Sequence, residues 1–323
     1  MNTLSNSTES MLQLKQRIGI ITTVIPTGSN IALLDEPVHR NIGDHLIHLG
    51  TERFFSDHGI SQIARAHTYN YRRRWLRQQI DVDTIIVCSG GGHLGDLYPA
   101  HQRLREQVVV DFPDHRIVVL PQSLYFKDAA HMRRAAAVFR GHRDFHLFLR
   151  DRDSLRQAET MNLHSLRLAP DMAHALYPIA SPSASLRSCG ETLYLLRRDM
   201  EGSTSSPTLA DGRVIRDWPD LMRITDTFVL AAIAATSRLY RAVGSSDFLD
   251  DVLDQRRAEM VKRGIGLING YDQIVSSRLH GAILGLLLGR RVRLLASLTG
   301  KSRAYYDAWL SDNEDCTYVS EGL

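Results

Sequence analysis

Gln273-Ile274-Val275-Ser276-Ser277-Arg278-Leu279-His280-Gly281-Ala282-Ile283-Leu284-Gly285-Leu286-Leu287-Leu288 is the stretch that decides the fold. Residues 273–275 form a short β-like run, and residues 282–288 form an apolar helical run. A strand feeding directly into a buried helix is the repeating unit of a parallel α/β sheet. The junction places an arginine and an imidazole where the free N–H groups of a first helical turn already favour an anion. It is suited to phosphate or carboxylate.

The same alternation runs outward from this point. Residues 18–25 are a β-branched run closed by Pro26, which reads as a buried first strand after a loose N-terminal segment. Residues 84–88, 116–120 and 145–149 read as further strands, with helical patterning at 45–56, 99–111 and 129–140. Residues 177–190, rich in Pro, Ser and Ala, mark a linker or long surface loop. Beyond it come a strand at 191–197, a polar loop at 200–212, helices at 230–243 and 248–262, and strands at 266–269 and 291–295. The expectation is an α/β protein of two Rossmann-like domains facing a cleft, residues 1–180 and 181–323. A length of 323 residues supports two cores.

Composition narrows the function. With 43% hydrophobic and 23% charged residues, the chain has the makeup of a soluble globular protein. A net charge of +3, spread along the chain, argues against nucleic acid as a partner. Of 39 basic residues only Lys15, Lys127, Lys262 and Lys301 are lysines, so planar, bidentate anion binders are abundant. Cys88, Cys189 and Cys316 are odd in number and lack metal-ligand spacing, which points to a reducing compartment. There is no signal-peptide core at the start and no apolar run of about 20 residues, so a cytoplasmic location is expected.

Several polar motifs sit at predicted strand ends. Gly90-Gly91-Gly92-His93-Leu94-Gly95 matches the dinucleotide pattern, yet the next strand ends in Leu120-Pro121-Gln122 and not in the acidic residue that ribose needs. The better reading is a glycine turn that admits a substrate, with His93 and Asp96 at its rim, against a turn needed only for packing. Asn41-Ile42-Gly43-Asp44 precedes a helix that Asp44 is placed to cap. Arg150, in Phe148-Leu149-Arg150-Asp151-Arg152-Asp153-Ser154, should point from the sheet edge into the cleft, with a structural ion pair as the alternative. Ala169-Pro170-Asp171 puts a carboxylate after a short strand. Arg72-Arg73-Arg74-Trp75-Leu76-Arg77 suits either a solvated helix face or an anionic membrane surface. No metal is assigned.

Taken in order, Asn41 to Asp44, Gly90 to Gly92, Pro121-Gln122-Ser123, Arg150 to Ser154, Ala169-Pro170-Asp171 and Ser277 to Gly281 resemble the polysaccharide pyruvyl transferases. That resemblance implies a bilobal, glycosyltransferase-B-like fold. It also implies transfer of pyruvate from phosphoenolpyruvate to a sugar of an exopolysaccharide, with no cofactor. By motif, Arg150, Arg278, Leu279 and Lys301 bind the donor, and Asn41, Gly91, Gly92, His93, Gln122 and Asp171 line the substrate cleft. His280 is the expected general acid, with Asp44 or Asp96 as base. The first domain would be the acceptor side, contributing Arg150, and the second would carry the donor site. The acceptor would be a lipid-linked glycan, with peripheral membrane contact. Two other readings stay open: a nucleotide-sugar-dependent glycosyltransferase, and a non-catalytic anion-binding component of polysaccharide assembly.

Overall fold

A computed structural model describes residues 5–179, 190–198, 215–242, 247–297 and 300–320. The first part of the chain runs α1 (Asn6–Ile18), β1 (Asn30–Leu34), α2 (Ile42–Asp57), β2 (Ser61–Ala66), α3 (Arg73–Gln79), β3 (Ile85–Cys88) and β4 (Gly91–Gly95). It continues through α4 (Pro99–Asp111), β5 (Ile117–Tyr125), α5 (Ala129–Arg140), β6 (Phe145–Leu149), α6 (Arg152–Glu159) and β7 (Leu166–Leu168). The second part runs β8 (Thr192–Leu195), β9 (Ile215–Arg216), α7 (Ile224–Ala242), α8 (Asp247–Asn269), β10 (Gln273–Ser276), α9 (Leu279–Leu287), β11 (Arg291–Leu295), α10 (Lys301–Tyr305) and β12 (Cys316–Val319).

The strands form two sheets, both parallel. One has the order β2-β1-β3-β5-β6-β7, with β4 paired to β5, and the other has the order β12-β11-β10-β8-β9. Strands β1, β3, β5 and β10 are buried almost end to end, which explains their apolar runs. In the first sheet the order reverses between β1 and β3, and in the second between β8 and β10. Crevices open beyond the carboxyl ends of strands at such switch points. Residues 35–41 and 89–92 follow the first pair of strands, and residues 196–197 and 277–280 follow the second.

The apolar core does not part at residue 180. Met11 and Leu14 of α1 and Ile42 and Leu46 of α2 pack in one cluster with Leu195, Ile274, Ile283 and Leu284 of the second sheet's layer. Helix α1 also reaches the far end of the chain, where the Ser7 hydroxyl donates to Asn313 Oδ1 at 3.1 Å.

Several sequence expectations are corrected. Residues 18–25 are not a strand: the chain leaves α1 through a 3-10 turn, Gly19–Thr23. Met11, Leu14, Ile18, Ile21 and Val24 are buried while Ile20 is exposed, a three-to-four-residue spacing that helical geometry satisfies and a strand cannot. Residues 266–269 are the end of α8. The glycine turn is strand β4, with Gly91 at φ 131° and Gly95 at φ 122°. A Cβ on Gly95 would lie 1.8 Å from the Tyr125 carbonyl oxygen, so glycine lets β4 approach β5. In α3, Leu76 is buried and Trp75 is partly buried against the first sheet's core, while Arg72, Arg73 and Arg74 are exposed. Among the described residues no helix is long and apolar enough to cross a membrane. Most of the expected loop at 177–190, with Cys189, and the polar loop at 200–212 lie outside the described residues.

Candidate active site

The β10–α9 junction is braced by its two serines. The Ser276 hydroxyl accepts the Arg278 N–H at 3.0 Å, and the Ser277 hydroxyl accepts the Arg197 N–H at 2.7 Å. Extended backbone at Arg278 (φ −97°, ψ 120°) ends the strand and starts the helix at Leu279. The Arg278 guanidinium is buried against Asp217, with Nη2 at 2.9 Å from Oδ2 and a second bond from Nε to Oδ1. His280 stands in the first turn, its Nε2 3.2 Å from Asp171 Oδ2 and 3.5 Å from Arg150 Nη1.

Arg150 follows β6 and is 4% exposed. Its N–H donates to the Gln122 carbonyl at 2.9 Å, its Nε to the Ser123 hydroxyl at 2.9 Å, and its Nη1 to Asp171 Oδ2 at 2.7 Å. Both readings of Arg150 therefore hold at once: it makes a structural ion pair and lines the cavity. Burial alone would raise the Asp171 carboxyl. The His280 ring and the Arg150 guanidinium outweigh it and hold that carboxyl well below the usual range.

The Asn41 motif closes the opposite wall. Asn41, not Asp44, caps α2: its Oδ1 accepts the Gly43 N–H at 3.2 Å, while its Nδ2 donates to Asp44 Oδ2 at 2.6 Å. Asp44 is thereby left facing His93 Nε2 at 3.4 Å and His39 Nε2 at 3.5 Å. Its carboxyl also lies well below the usual range, because His93, His39 and His280 overcome the opposing effect of burial. Ligand atoms of His39, Asp44 and His93 all fall within 4.8 Å of one another, a spacing a metal ion could span. However, the Asn41 N–H donates to His39 Nδ1 at 3.3 Å, which leaves the ring proton on Nε2. In this arrangement His39 donates towards Asp44 and offers no lone pair to an ion.

Asn41, Asp44, Gly92, His93, Arg150, Arg278, Leu279, His280 and Lys301 all line one cavity, with about 620 Å³ of empty space including its open mouth. Gly91, Gln122 and Asp171 stand behind that wall. Gln122 is scaffold: its Oε1 accepts the His93 N–H at 3.0 Å and its Nε2 donates to the Ser89 carbonyl at 2.7 Å. Asp96 is turned elsewhere. Its carboxylate accepts the N–H groups of Lys127 and Asp128, each at 2.9 Å, and so ties the end of β4 to the start of α5. Sequence reasoning missed Arg197, Tyr98, Trp218 and the Asp217 partner of Arg278. Arg197 could have been found, because it ends a predicted strand at the same sheet edge. Asp217 pairs with Arg278 only through the tertiary fold.

Comparisons with known proteins agree over most of the chain. The family model for polysaccharide pyruvyl transferase matches residues 41–298. The Bacillus subtilis protein named "Putative pyruvyl transferase EpsO" is 32% identical over 306 residues, covering 94% of this chain and 93% of that one. "Pyruvyl transferase 1" of Schizosaccharomyces pombe is 26% identical, covering 87% of this chain and 69% of its own length. The crystal structure of the Klebsiella pneumoniae protein KP1_0663, described as functionally uncharacterized, superposes with a TM-score of 0.61 at 16% identity over 96% of this chain and 98% of that one, a likeness of fold.

Proposed function

The chain belongs to the polysaccharide pyruvyl transferase family, and from that premise we propose that it moves pyruvate from phosphoenolpyruvate to a hexose of an exopolysaccharide repeat unit, closing a cyclic ketal and releasing phosphate. The observation that carries this reading is the convergence of Arg150, Arg278, Lys301 and His280 on one cavity. Phosphoenolpyruvate has a carboxylate and a phosphate at fixed separation, and rigid guanidinium groups recognise both. Asp171 and Asp217 hold the two guanidinium planes from behind and limit their freedom before the donor arrives.

In the proposed reaction the methylene carbon is protonated, two sugar oxygens bond to the neighbouring carbon, and the phosphate leaves with its bonding electrons. One hydroxyl proton is balanced by the new methyl group and the other by the departing phosphate. His280 is the general acid towards that phosphate, with Asp171 keeping the ring in place. Asp44 is the proposed base for the sugar hydroxyl, because it lines the cavity and Asp96 does not. The acceptor is proposed to be lipid-linked at the inner membrane face.

Calorimetric titration with phosphoenolpyruvate tests the donor. The parent should bind, and Arg278→Ala, shown to be folded, should not. A parent that binds UDP or GDP and ignores phosphoenolpyruvate would overturn the reading in favour of a nucleotide-sugar enzyme. His280→Ala should bind the donor yet lose at least about a hundredfold in phosphate release with acceptor present, in keeping with the loss of a general acid.

A further inference from the structure

Helix α10 is one turn long and continues into a π-turn, Tyr306–Leu310, outside the residues that the family model matches. Three side chains of this segment reach donor-site groups carried by the first sheet's layer. Lys301 Nζ lies 3.4 Å from the Gly92 carbonyl, the Tyr305 hydroxyl accepts the Asp171 N–H at 3.0 Å, and Trp309 Nε1 donates to the Arg150 carbonyl at 2.7 Å. They are spaced at i, i+4 and i+8. Four residues overshoot one turn of an α-helix by about 40°, so two such steps would rotate Trp309 about 80° from Lys301. A π-turn holds more residues per turn, and four residues fall short of it, which cancels the drift.

Each contact is made where it has the most leverage. Tyr305 is fully buried, shares a 2.9 Å hydrogen bond with His174 Nε2 through its hydroxyl, and holds the backbone of the carboxylate that pairs with both Arg150 and His280. Trp309 grips the main chain of Arg150 itself, while the Arg150 N–H is held from the other side by Gln122. Tyr306, between them, turns away towards Tyr318 at 5.5 Å.

We propose that Tyr305 and Trp309 are positioning residues that, together with Lys301, seat the Arg150–Asp171 pair against His280. The geometry of the donor site then depends on the register of this single segment. The inference rests on the donor reading above only for what Arg150 binds; the seating itself belongs to the ligand-free protein.

The test is the Arg150 Nε–H resonance of the ligand-free protein, recorded by ¹⁵N NMR for the parent, Trp309→Phe and Tyr306→Phe, with phosphoenolpyruvate affinity measured on the same samples. Trp309→Phe removes the indole N–H and keeps an aromatic ring. It should broaden the Arg150 signal and weaken donor binding about three- to tenfold, the range for one lost hydrogen bond. In an Arg150→Lys background the same change should cost less than about twofold, the non-additivity that marks coupled residues. Tyr306→Phe should match the parent. If Trp309→Phe does not fold, Tyr305→Phe reads the same signal through Asp171. An unaltered Arg150 signal with affinity within about twofold of the parent overturns the proposal. A parent that binds no phosphoenolpyruvate, with an Arg150 signal that still responds to Trp309→Phe, removes the donor reading and leaves the seating in place.

Discussion

Gly43 has no side chain because His280 occupies the space. A Cβ there would lie 2.7 Å from His280 Nδ1 and 2.9 Å from two further ring or Cβ atoms. The Asn41-Ile42-Gly43-Asp44 motif and the Ser277-Arg278-Leu279-His280-Gly281 motif are thus two sides of one contact. Gly92 has a milder version of the same duty, its absent Cβ lying 3.2 Å from Arg150 Nη2. Gly43→Ala should therefore displace His280 and lower the proposed pyruvyl transfer at least about tenfold, whereas Gly92→Ala should cost less, since the Arg150 Nη2 it would meet need give by only a few tenths of an ångström. Steady-state rates with phosphoenolpyruvate, compared against melting temperature, check both. An equal or reversed ranking would mean that His280 is not held by this packing.

At the scale of elements, the strand-to-helix junctions position the chemistry. Strand β10 ends in buried Ser276, and α9 begins three residues later, so Arg278 and His280 leave the sheet edge on rigid backbone. Gly281 makes the tight turn possible: its Cβ would meet Leu195 Cδ2 and the Ser276 hydroxyl, both at 2.5 Å. Gly281→Ala is predicted to destabilise the protein by about 1–3 kcal/mol, the cost of overpacking, read from urea unfolding at fixed m-value. A change below about 0.5 kcal/mol would show that the junction yields. These junctions were legible in the sequence because propensity, burial and the polar residues at the strand end agree. The misreading of residues 18–25 has the opposite cause. β-branched residues favour a strand, but the buried face of α1 continues through Ile18 and Ile21, and tertiary packing overrode propensity.

The molecule as a whole is tied together by charges that no single motif contains. Glu36, buried, is bonded by Arg65 of β2 and by Arg257 of α8, and both arginines also reach Asp254. Burial works against the Glu36 charge, yet Arg65, His48 and Arg257 bring its pKa down to about 2. Arg257→Met should cost roughly 3 kcal/mol or more, since it leaves a buried carboxylate short of a partner. Denaturant unfolding at neutral pH measures this.

Acid sensitivity is also a property of the whole molecule. His174 is fully enclosed, and burial lowers its pKa to about 4, with His280 adding to the effect and Asp171 opposing it. Between about pH 6.5 and about 4 the unfolded chain takes up a proton at this site that the folded chain refuses, so stability falls as the pH drops through that window. The loss reaches at most about 3 kcal/mol. The contribution of Glu36 starts to fade only below about pH 4.5, so the two effects separate. Burial lowers His39 to about 4 as well, so His174→Gln should reduce, not abolish, the decline in unfolding free energy between about pH 7 and about 4.5, and an unchanged slope would assign the decline to His39 and other groups.

The sequence by itself determined the α/β class, the Arg-Leu-His junction and the family, because each is written in local order: an apolar run, a turn, a charged pair at a strand end. It also placed Asn41, Gly92, Arg150 and Lys301 among the residues that converge on one cavity. Only the tertiary structure decided that Asp44 faces this cavity and Asp96 does not, that Asn41 is the cap, that Asp171 and Asp217 back the two arginines, and that Trp309 reaches Arg150. Those are through-space contacts between residues far apart in the chain, and their energy depends on distance and burial that local order does not encode.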